Sequence, residues 1–375
     1  MKSVIRYKNY AEIDLSALVS NFSLLCENAK KYSPDAKPIC VLKADAYGHG
    51  ACECASALLS AGADFFAVSD IGEALQLREQ APEAKILILG YVMPENAPLL
   101  SEYSIIQTVH SYEYAKQLND AITDENVKIS IHIKLDTGMS RLGFDTDGDL
   151  SSSLCDIERI LSLPHLSADG VFSHFACADD YGSEMTDEQI SRFRTAVKEM
   201  KKLGFSGCAH LSNSAGSMRF GALGGDYFRL GIALYGFGAG EVSLSRLLPV
   251  MRFFATVAQV KTVKKGSAIS YGATYRAKKD IRVATVTVGY ADGLVRKASG
   301  ASLIINGKKA KILGRVCMDQ CILSVDGIDV KAGDAVQVYD ETGENTHAMA
   351  KHIGTIEYEL LCLVGKRVPR IYKRV

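Results

Sequence analysis

The sequence predicts an α/β protein with an N-terminal (β/α)8 barrel followed by a mostly β domain. Across residues 36–235, eight apolar runs of strand length alternate with amphipathic segments of helical period, which is the pattern of repeated parallel βαβ units. After about residue 245 the runs are short, rich in β-branched residues and separated by turns. Eight units favour a closed barrel, and an open doubly wound sheet is the alternative.

The barrel strands are predicted from apolar runs that end in polar or glycine residues. In chain order they are PICVLK, DFFAVS, KILILG, IIQTVH, ISIHIKLD, DGVFSHF, CAHLS and RLGIALYG. An amphipathic helix precedes the first run, with Asp14 or Ser16 as its N-cap. Asp70 and Thr186 occupy the positions expected for the N-caps of two later helices, and Gly204 follows the end of one of them.

The second domain is predicted from short runs separated by glycine turns. The runs are MRFFATVAQVKTV, DIRVATVTVGY, ASLIINGKKAKILG, CILSVDG and DAVQVYD. Asn306-Gly307 lies between two apolar runs and is the strongest hairpin signal in the chain. A helical segment appears only near the end, in HAMAKHIGTIEYELLCLVG. We therefore predict a barrel domain with an N-terminal helix at residues 1–242 and a β domain at residues 243–375.

Composition excludes several classes of function. The chain has 375 residues and 43 basic against 43 acidic side chains, so no strongly basic surface indicates nucleic-acid binding. The N-terminus lacks the apolar core of a signal peptide, and no stretch reaches the ~18 apolar residues of a membrane helix. Ten cysteines occur without a CxxC pair, which predicts reduced thiols in a cytoplasmic protein and no metal site.

A lysine follows the first predicted barrel strand. Lys43 comes directly after the apolar run at residues 38–42 and before a loop that contains Gly48 and Gly50. Loops at the carboxyl ends of the strands form the active site of such barrels, and burial lowers the pKa of a lysine by disfavouring its charged form. A neutral amine can form a Schiff base with a carbonyl compound. The position indicates either a reactive amine or an ordinary solvated lysine.

The motif around Lys43 and eight further motifs resemble one family. VLKADAYGHG strongly resembles the pyridoxal-phosphate (PLP) lysine motif of the alanine racemases. The resemblance covers essentially the whole chain and recurs in order at IKLDTGMSRLGF, SHFACADD, SNSAGSMRF, FRLGIALYG, ISYGATYRA, VGYADG, RVCMDQC and IGTIEYELLC. It implies a (β/α)8 barrel with a C-terminal β domain, PLP as cofactor, alanine as substrate and a homodimer whose active site is shared between subunits.

The resemblance also implies a reaction with two bases. Lys43 holds PLP, is displaced when the substrate forms its external aldimine, and then acts as the base on the D face. Tyr271, in ISYGATY, acts on the L face, and in the family it crosses from the other subunit. Because a free phenol has a pKa near ~10, Tyr271 needs cationic or hydrogen-bonding neighbours to act near neutral pH. The implied product is D-alanine for peptidoglycan.

Arg229, in FRLGIALYG, matches the arginine that the family places on the pyridine nitrogen of PLP. Because a guanidinium keeps its proton, the ring nitrogen stays unprotonated and the cofactor becomes a weaker electron sink. We hypothesise that Arg229 thereby favours return of the proton over transamination. His174 resembles the histidine that packs at the PLP ring and is linked to this arginine.

The remaining matches divide among cofactor, substrate and channel. Those that resemble cofactor ligands are Tyr47, Arg141, Asn213, Ser214, Gly231, Ile232 and Tyr358. Backbone N–H groups at a turn or helix start suit a phosphate, as in SNSAGS. Arg141 and Met318 match substrate-binding residues, and the channel and its surroundings are matched by Lys134, Asp179, Tyr290 and Asp319. In many family members the lysine at the position of Lys134 is carbamylated and orients the arginine.

Two other functions stay open at this point. The substrate could be serine or a broader set of amino acids, which a kinetic comparison of L-alanine and L-serine decides. A PLP carrier without catalysis would share the lysine-bearing barrel but lack the second domain and its tyrosine. Residues 245–375 and the ISYGATY motif therefore count against a carrier.

Overall fold

The computed structural model describes residues 6–373, which form two compact units that interleave along the chain. The barrel unit contains residues 19–46 and 51–247, and the β unit contains residues 6–18, 47–50 and 248–373. The first strand of the chain therefore belongs to the β unit, which the sequence analysis did not anticipate. The predicted division between residues 242 and 243 stays a prediction. No helix among residues 6–373 has the length and apolar character to cross a membrane.

Eight parallel strands form the barrel. They are β2 (Lys37–Val41), β3 (Phe65–Val68), β4 (Lys85–Ile88), β5 (Ile105–Val109), β6 (Ile129–Asp136), β8 (Leu166–Phe172), β9 (Cys208–His210) and β10 (Tyr227–Leu230). The spatial order β5-β4-β3-β2-β10-β9-β8-β6 closes on itself through a pairing of β5 with β6, and β7 (Phe144–Asp145) adds a short parallel pairing to β6. The predicted closed barrel is confirmed, and the open sheet is wrong.

Helices separate the barrel strands. They are α1 (Leu15–Lys30), α2 (Lys43–Gly48), α3 (Ala51–Ser60), α4 (Ile71–Gln80), α5 (Ala97–Glu102), α6 (Tyr112–Asp120), α7 (Leu150–Leu161), α8 (Met185–Lys202) and α9 (Ser214–Phe220). Asp14 accepts a hydrogen bond from the Ala17 N–H at the start of α1, and Asp70 accepts one from the Glu73 N–H in α4. Both predicted caps satisfy an amide that the helix leaves unpaired.

Thr186 is not an N-cap. The helix α8 begins one residue earlier, at Met185, and its N-cap is Glu184. The Thr186 side chain is buried and its hydroxyl donates to the carbonyl of Cys177. Thr186 is therefore the second residue of the helix and not the residue before it, and its tertiary contact was not visible in the sequence.

The barrel strands are buried on both faces, because helices cover the outside and side chains fill the inside. All four residues of β3 are buried, which explains its uninterrupted apolar sequence. A few polar side chains interrupt this core, among them Gln107 in β5, His132 in β6, His210 in β9 and Arg229 in β10. These buried polar groups lie within or near the predicted site.

The β unit is built around one long strand. Its strands are β1 (Tyr10–Asp14), β11 (Met251–Val263), β12 (Ala268–Ile269), β13 (Tyr275–Arg276), β14 (Ile281–Val286), β15 (Ser302–Ile305), β16 (Lys308–Lys311), β17 (Cys321–Ser324), β18 (Ala335–Tyr339) and β19 (Arg370–Lys373). β11 pairs antiparallel with β1, β14 and β18, and its register shifts between Val257 and Gln259. The predicted C-terminal β domain is confirmed.

The hairpin that the sequence predicts at Asn306-Gly307 is present in this unit. β15 and β16 form an antiparallel hairpin across the two residues Asn306 and Gly307, whose φ angles are +47° and +73°. Positive φ at both central residues matches the right-handed twist of the strands. The helical segment near the end of the chain forms α10 (Glu344–Ile353) and α11 (Glu357–Cys362).

Candidate active site

Lys43 lies at the carboxyl end of β2. This strand pairs with β3 on one side and with β10 on the other, so that Ile39 lies opposite Arg229. The pairing continues past the strand, because the Leu42 N–H donates to the Ala67 carbonyl at 2.8 Å. Lys43 therefore lies just past the carboxyl end of the first barrel strand, as the sequence predicted.

The segment after Lys43 has an unusual backbone. The residues Ala44, Asp45, Ala46 and Tyr47 have φ angles between +53° and +55°, so α2 is left-handed. Such a conformation costs about 1–2 kcal/mol for each residue that has a Cβ atom, and it persists only where surrounding contacts hold it. The Ala46 N–H donates to Leu42, and the Asp45 carboxylate accepts from the Ala51 N–H. The sequence predicted a glycine-rich loop here and gave no signal of the left-handed turn.

Arg229 is almost fully enclosed in the barrel. Its side chain is 2% exposed, and its Nη atoms contact the Nδ1 atoms of His210 and His174 at 2.7 and 3.1 Å. Nη2 also donates to the Ser173 and Leu211 carbonyls at 2.7 and 2.9 Å. Burial lowers the pKa of Arg229 to about 9, with Arg141 adding to the effect, so the group stays charged at neutral pH.

These contacts fix the tautomers of three histidines. A guanidinium only donates hydrogen bonds, so Nδ1 of His210 and Nδ1 of His174 accept and each ring carries its proton on Nε2. His210 Nε2 lies 2.9 Å from Nδ1 of His132, so His132 accepts in turn and carries its proton on Nε2. Burial, followed by the charge of Arg229, lowers the pKa of His174 and of His210 far below the usual value. All three rings are therefore neutral.

One donor of Arg229 is left over by this network. Among the described residues, its Nε–H has no hydrogen-bond partner, whereas both Nη atoms are bonded. The barrel therefore contains a fixed cationic N–H that suits a neutral acceptor atom.

Lys134 on β6 lies in the same buried region. Its Nζ donates to the Leu135 carbonyl at 2.8 Å and lies 5.2 Å from the centre of the Phe172 ring. Burial lowers the pKa of Lys134 to about 7, and the charges of Arg229 and Arg141 act in the same direction. A substantial fraction of this amine is therefore neutral near pH 7. Arg141 itself is exposed in the loop after β6.

Several predicted cofactor ligands of the barrel unit come together at α9. The Ser214 hydroxyl oxygen accepts from the Gly231 N–H at 2.9 Å and from the Ala233 N–H at 3.5 Å, and Ile232 begins a short 3-10 helix between them. Because this oxygen accepts, its proton is available to a ligand. Asn213 caps α9 instead, since its Oδ1 accepts from the Gly216 N–H.

Two predicted ligands belong to the β unit. The rings of Tyr47 and Tyr358 are 6.2 Å apart, edge to face. Burial raises the pKa of the Tyr47 phenol well above its usual value, so this group is a neutral hydrogen-bond donor.

Asp179, a predicted channel residue, lies in the barrel unit, where its backbone carbonyl accepts from the Glu241 N–H.

Tyr271 is strongly exposed in the β unit. Its side chain is 69% exposed at the start of a 3-10 turn that follows Ser270, and Ser270 has a φ of +63°. The Ser270 hydroxyl donates to the Arg315 carbonyl, which fixes the approach to the turn. A cavity of about 710 Å³ lies beside Tyr271 and is also lined by Ser270, Cys317 and Gln320.

The two predicted channel loops of the β unit are joined to each other. The Tyr290 N–H donates to the Cys317 carbonyl and the Ala291 N–H donates to the Met318 carbonyl, both at 3.0 Å. Arg367 adds an ionic link, because it contacts the buried Asp292 at 2.8 Å and Asp319 at 2.7 Å. Arg367 and Asp292 were not predicted from the sequence, although Asp292 lies in the motif VGYADG.

Comparison with known proteins identifies the family. The family model "Alanine racemase, N-terminal domain" matches residues 13–238, and "Alanine racemase, C-terminal domain" matches residues 250–372. The chain belongs to the alanine racemase family. Alanine racemase 1 of Clostridium acetobutylicum is 38% identical over 97% of this chain and 95% of its own length.

Solved structures of alanine racemases have the same fold. The enzyme of Clostridium difficile 630 superposes with a TM-score of 0.91 at 35% identity, over 99% of this chain and 97% of the other. The enzyme of Bacillus anthracis with bound L-Ala-P gives a TM-score of 0.90 at 32% identity, over 99% and 96% of the two chains. The predicted family and the predicted racemase class are confirmed, and the individual site roles stay predictions.

Proposed function

We propose that the chain interconverts L-alanine and D-alanine, with PLP bound through Lys43 and with Lys43 and Tyr271 exchanging the α-proton on opposite faces of the substrate. Family membership implies the cofactor, and the C. acetobutylicum and C. difficile relatives carry the name of this reaction. The observation that carries the proposal is the Nε–H of buried Arg229. A pyridine nitrogen with a free lone pair is the acceptor that this donor suits.

The donors at α9 fit the other end of the cofactor. A phosphate dianion prefers hydroxyl and backbone N–H donors, and we propose that the Ser214 hydroxyl and the Ile232 N–H serve it, with the Gly231 N–H orienting Ser214. Tyr47 and Tyr358 are proposed to add phenol donors. When bound, PLP withdraws electron density from the α-carbon of the substrate and so weakens its C–H bond.

The side chains of the protein then perform the proton transfer. Lys43 Nζ takes or returns the proton on the D face, and the Tyr271 hydroxyl does so on the L face. Arg229 keeps its own proton and donates through Nε, so the ring nitrogen is not protonated. This arrangement favours return of the proton to the α-carbon and restricts the protein to racemisation.

We further propose a homodimer in which Tyr271 serves the barrel of a second copy. A phenol that is 69% exposed leaves most of its surface open to contact with a second copy. A second copy would cover it together with Met318 and Tyr290, which are also exposed. The D-alanine formed would supply peptidoglycan synthesis.

A coupled assay tests the reaction. Purified protein is mixed with PLP and L-alanine, and D-alanine is detected with a D-amino-acid oxidase. Lys43→Ala and Tyr271→Phe are expected to remove most activity, whereas Lys37→Ala, at the exposed start of the same strand, is the matched control. After borohydride treatment, a phosphopyridoxyl group on a lysine other than Lys43 would refute the proposal.

Subunit exchange tests the shared site. Mixed dimers of Lys43→Ala and Tyr271→Phe contain one site with both wild-type bases if the tyrosine crosses between copies. Activity should then return to about a quarter of the wild-type value after random exchange of subunits. If activity stays absent although exchange is verified by mass spectrometry, each chain uses its own tyrosine.

The same assay separates the alternatives. A comparable kcat/KM for L-serine and L-alanine would make the protein a broad-specificity racemase. A yellow protein that binds PLP but forms no D-amino acid would be a carrier.

A further inference from the structure

Glu73 connects the ends of two barrel strands to the left-handed segment. Its Oε1 accepts from the Ala44 N–H at 2.6 Å, and its Oε2 accepts from the Ser69 N–H at 2.8 Å. Ala44 follows Lys43 after β2, and Ser69 directly follows β3. One carboxylate therefore bridges the carboxyl ends of two adjacent strands beside Lys43.

The sequence favours a different hydrogen bond for the Glu73 carboxylate, one to the backbone of the nearby helix N-cap. Asp70 is the N-cap of α4 and Glu73 is its third residue, which is the spacing of a capping box. In that motif the acidic side chain returns to the backbone N–H of the N-cap residue. Here both carboxylate oxygens bond elsewhere, to Ser69 and to Ala44. The Glu73 side chain therefore holds together the ends of two strands, in addition to lying in the first turn of the helix.

The Ala44 N–H is the point at which the chain becomes left-handed. The peptide that joins Lys43 to Ala44 sets the ψ of Lys43 and the φ of Ala44, which is +54°. A charge-assisted hydrogen bond to this N–H holds the peptide plane in one orientation. The other end of the segment is held by Asp45, which accepts from the Ala51 N–H.

We propose that Glu73 is a positioning residue for Lys43. Its carboxylate holds the first left-handed peptide and thereby fixes the direction in which the Lys43 side chain leaves the backbone. The inference rests on the proposed role of Lys43 as the lysine that binds PLP. Without the carboxylate, the segment relaxes toward ordinary φ values and the amine samples several directions.

Three variants separate this role from a general effect on stability. Glu73→Ala removes both acceptor oxygens. Glu73→Gln keeps the size of the side chain and one acceptor oxygen, but it removes the charge and the second acceptor. Glu79→Ala is the matched control, since Glu79 is an exposed glutamate on the same helix. The first readout is hydrogen exchange of the protein without PLP, and the second is steady-state kinetics with PLP.

Hydrogen exchange should change locally. In Glu73→Ala, peptides that cover residues 43–50 should exchange at least about tenfold faster, because their hydrogen bonds open without global unfolding. Peptides that cover β6 should exchange as in the wild type, and Glu79→Ala should match the wild type throughout. Glu73→Gln should be intermediate. If exchange rises equally in β6, or if Glu79→Ala behaves like Glu73→Ala, the proposal is wrong.

Kinetics should show a loss in kcat with little change in KM. A misplaced catalytic group costs on the order of tenfold to a hundredfold in rate, and added formate should restore part of kcat in Glu73→Ala while chloride at equal ionic strength should not. Wild-type kcat in Glu73→Ala, or equal rescue by chloride, overturns the inference. If borohydride mapping finds the phosphopyridoxyl group on a lysine other than Lys43, the proposed function is wrong. The hydrogen-exchange result still tests whether Glu73 holds the segment at residues 43–50. If Glu73→Ala does not fold, Glu73→Gln decides through the same readouts.

Discussion

The two units hold their predicted site residues in opposite ways. In the barrel unit, the Arg229 guanidinium is buried and bonded to two histidines and three carbonyl groups. In the β unit, the Tyr271 and Met318 side chains are 69% and 52% exposed. A buried charge must be satisfied by its own chain, because water cannot reach it. An exposed phenol imposes no such requirement. The buried side chains of the barrel unit are therefore preorganised, whereas the exposed side chains of the β unit stay largely open to solvent.

The largest expected effect is on stability, at Arg229. Arg229→Ala leaves the acceptors on His210, His174, Ser173 and Leu211 buried without their donor. Each such group costs about 1–3 kcal/mol, so the free energy of unfolding should fall by at least about 3 kcal/mol in chemical denaturation. The control is Arg159→Ala, which removes an exposed ion pair and should cost at most about 1 kcal/mol. Equal losses in the two variants would contradict the preorganised barrel.

Tyr271→Phe should show the opposite pattern. The rate of racemisation should fall by about 10²–10⁴-fold, which is the contribution of one acid–base group. The free energy of unfolding should stay within about 0.5 kcal/mol, because the hydroxyl is exposed. Tyr32→Phe, at another exposed tyrosine, should change neither quantity. A large loss of stability in Tyr271→Phe would show that Tyr271 is held in the β unit as tightly as Arg229 is held in the barrel unit.

A pH titration sharpens the contrast through the buried histidines. Burial lowers the pKa of His132 to about 3 and the pKa values of His174 and His210 well below the usual value. Below pH ~6.5 the unfolded chain binds protons that the folded chain refuses, so stability is full above this pH and is lost as the pH falls. Each histidine should contribute up to about 1.4 kcal/mol per pH unit.

Denaturation between pH 7 and 5.5 measures this slope. His132→Asn should reduce the slope by the contribution of one histidine, whatever it does to the stability at pH 7. An unchanged slope in this variant would mean that His132 is protonated in the folded protein.

The smallest expected effect lies in the β unit at Gly307. Its φ is +73°, and a Cβ atom added there would meet open space. Gly307→Ala should therefore cost only about 1 kcal/mol, through backbone strain, and should leave kcat unchanged. Lys308→Ala, at the next position, is the control and should cost less. A loss of activity in Gly307→Ala would mean that the hairpin and the exposed site residues are coupled.

The sequence could predict much of the fold because local signals agreed with the tertiary structure. Eight apolar runs were long enough to be buried barrel strands, and Asn306-Gly307 carries the backbone preference that its hairpin needs. Thr186 was misassigned because the helix begins one residue earlier than the sequence predicted, at Met185. The assignment of the first strand to the β unit was missed because Tyr10–Asp14 pairs with β11, more than 200 residues later in the chain.

The amino-acid sequence was sufficient to predict the order of the two domains, the lysine at the end of the first barrel strand and the family motifs that contain the site residues. How those residues are held became visible only in the folded chain. Contacts between distant parts of the chain produce three features of the site residues. They are the left-handed segment after Lys43, the bridge that the Glu73 carboxylate makes between two strand ends, and the neutral histidines bonded to Arg229 or to each other. Periodicity and propensity describe neighbours along the sequence, whereas protonation and backbone strain are set by neighbours in space.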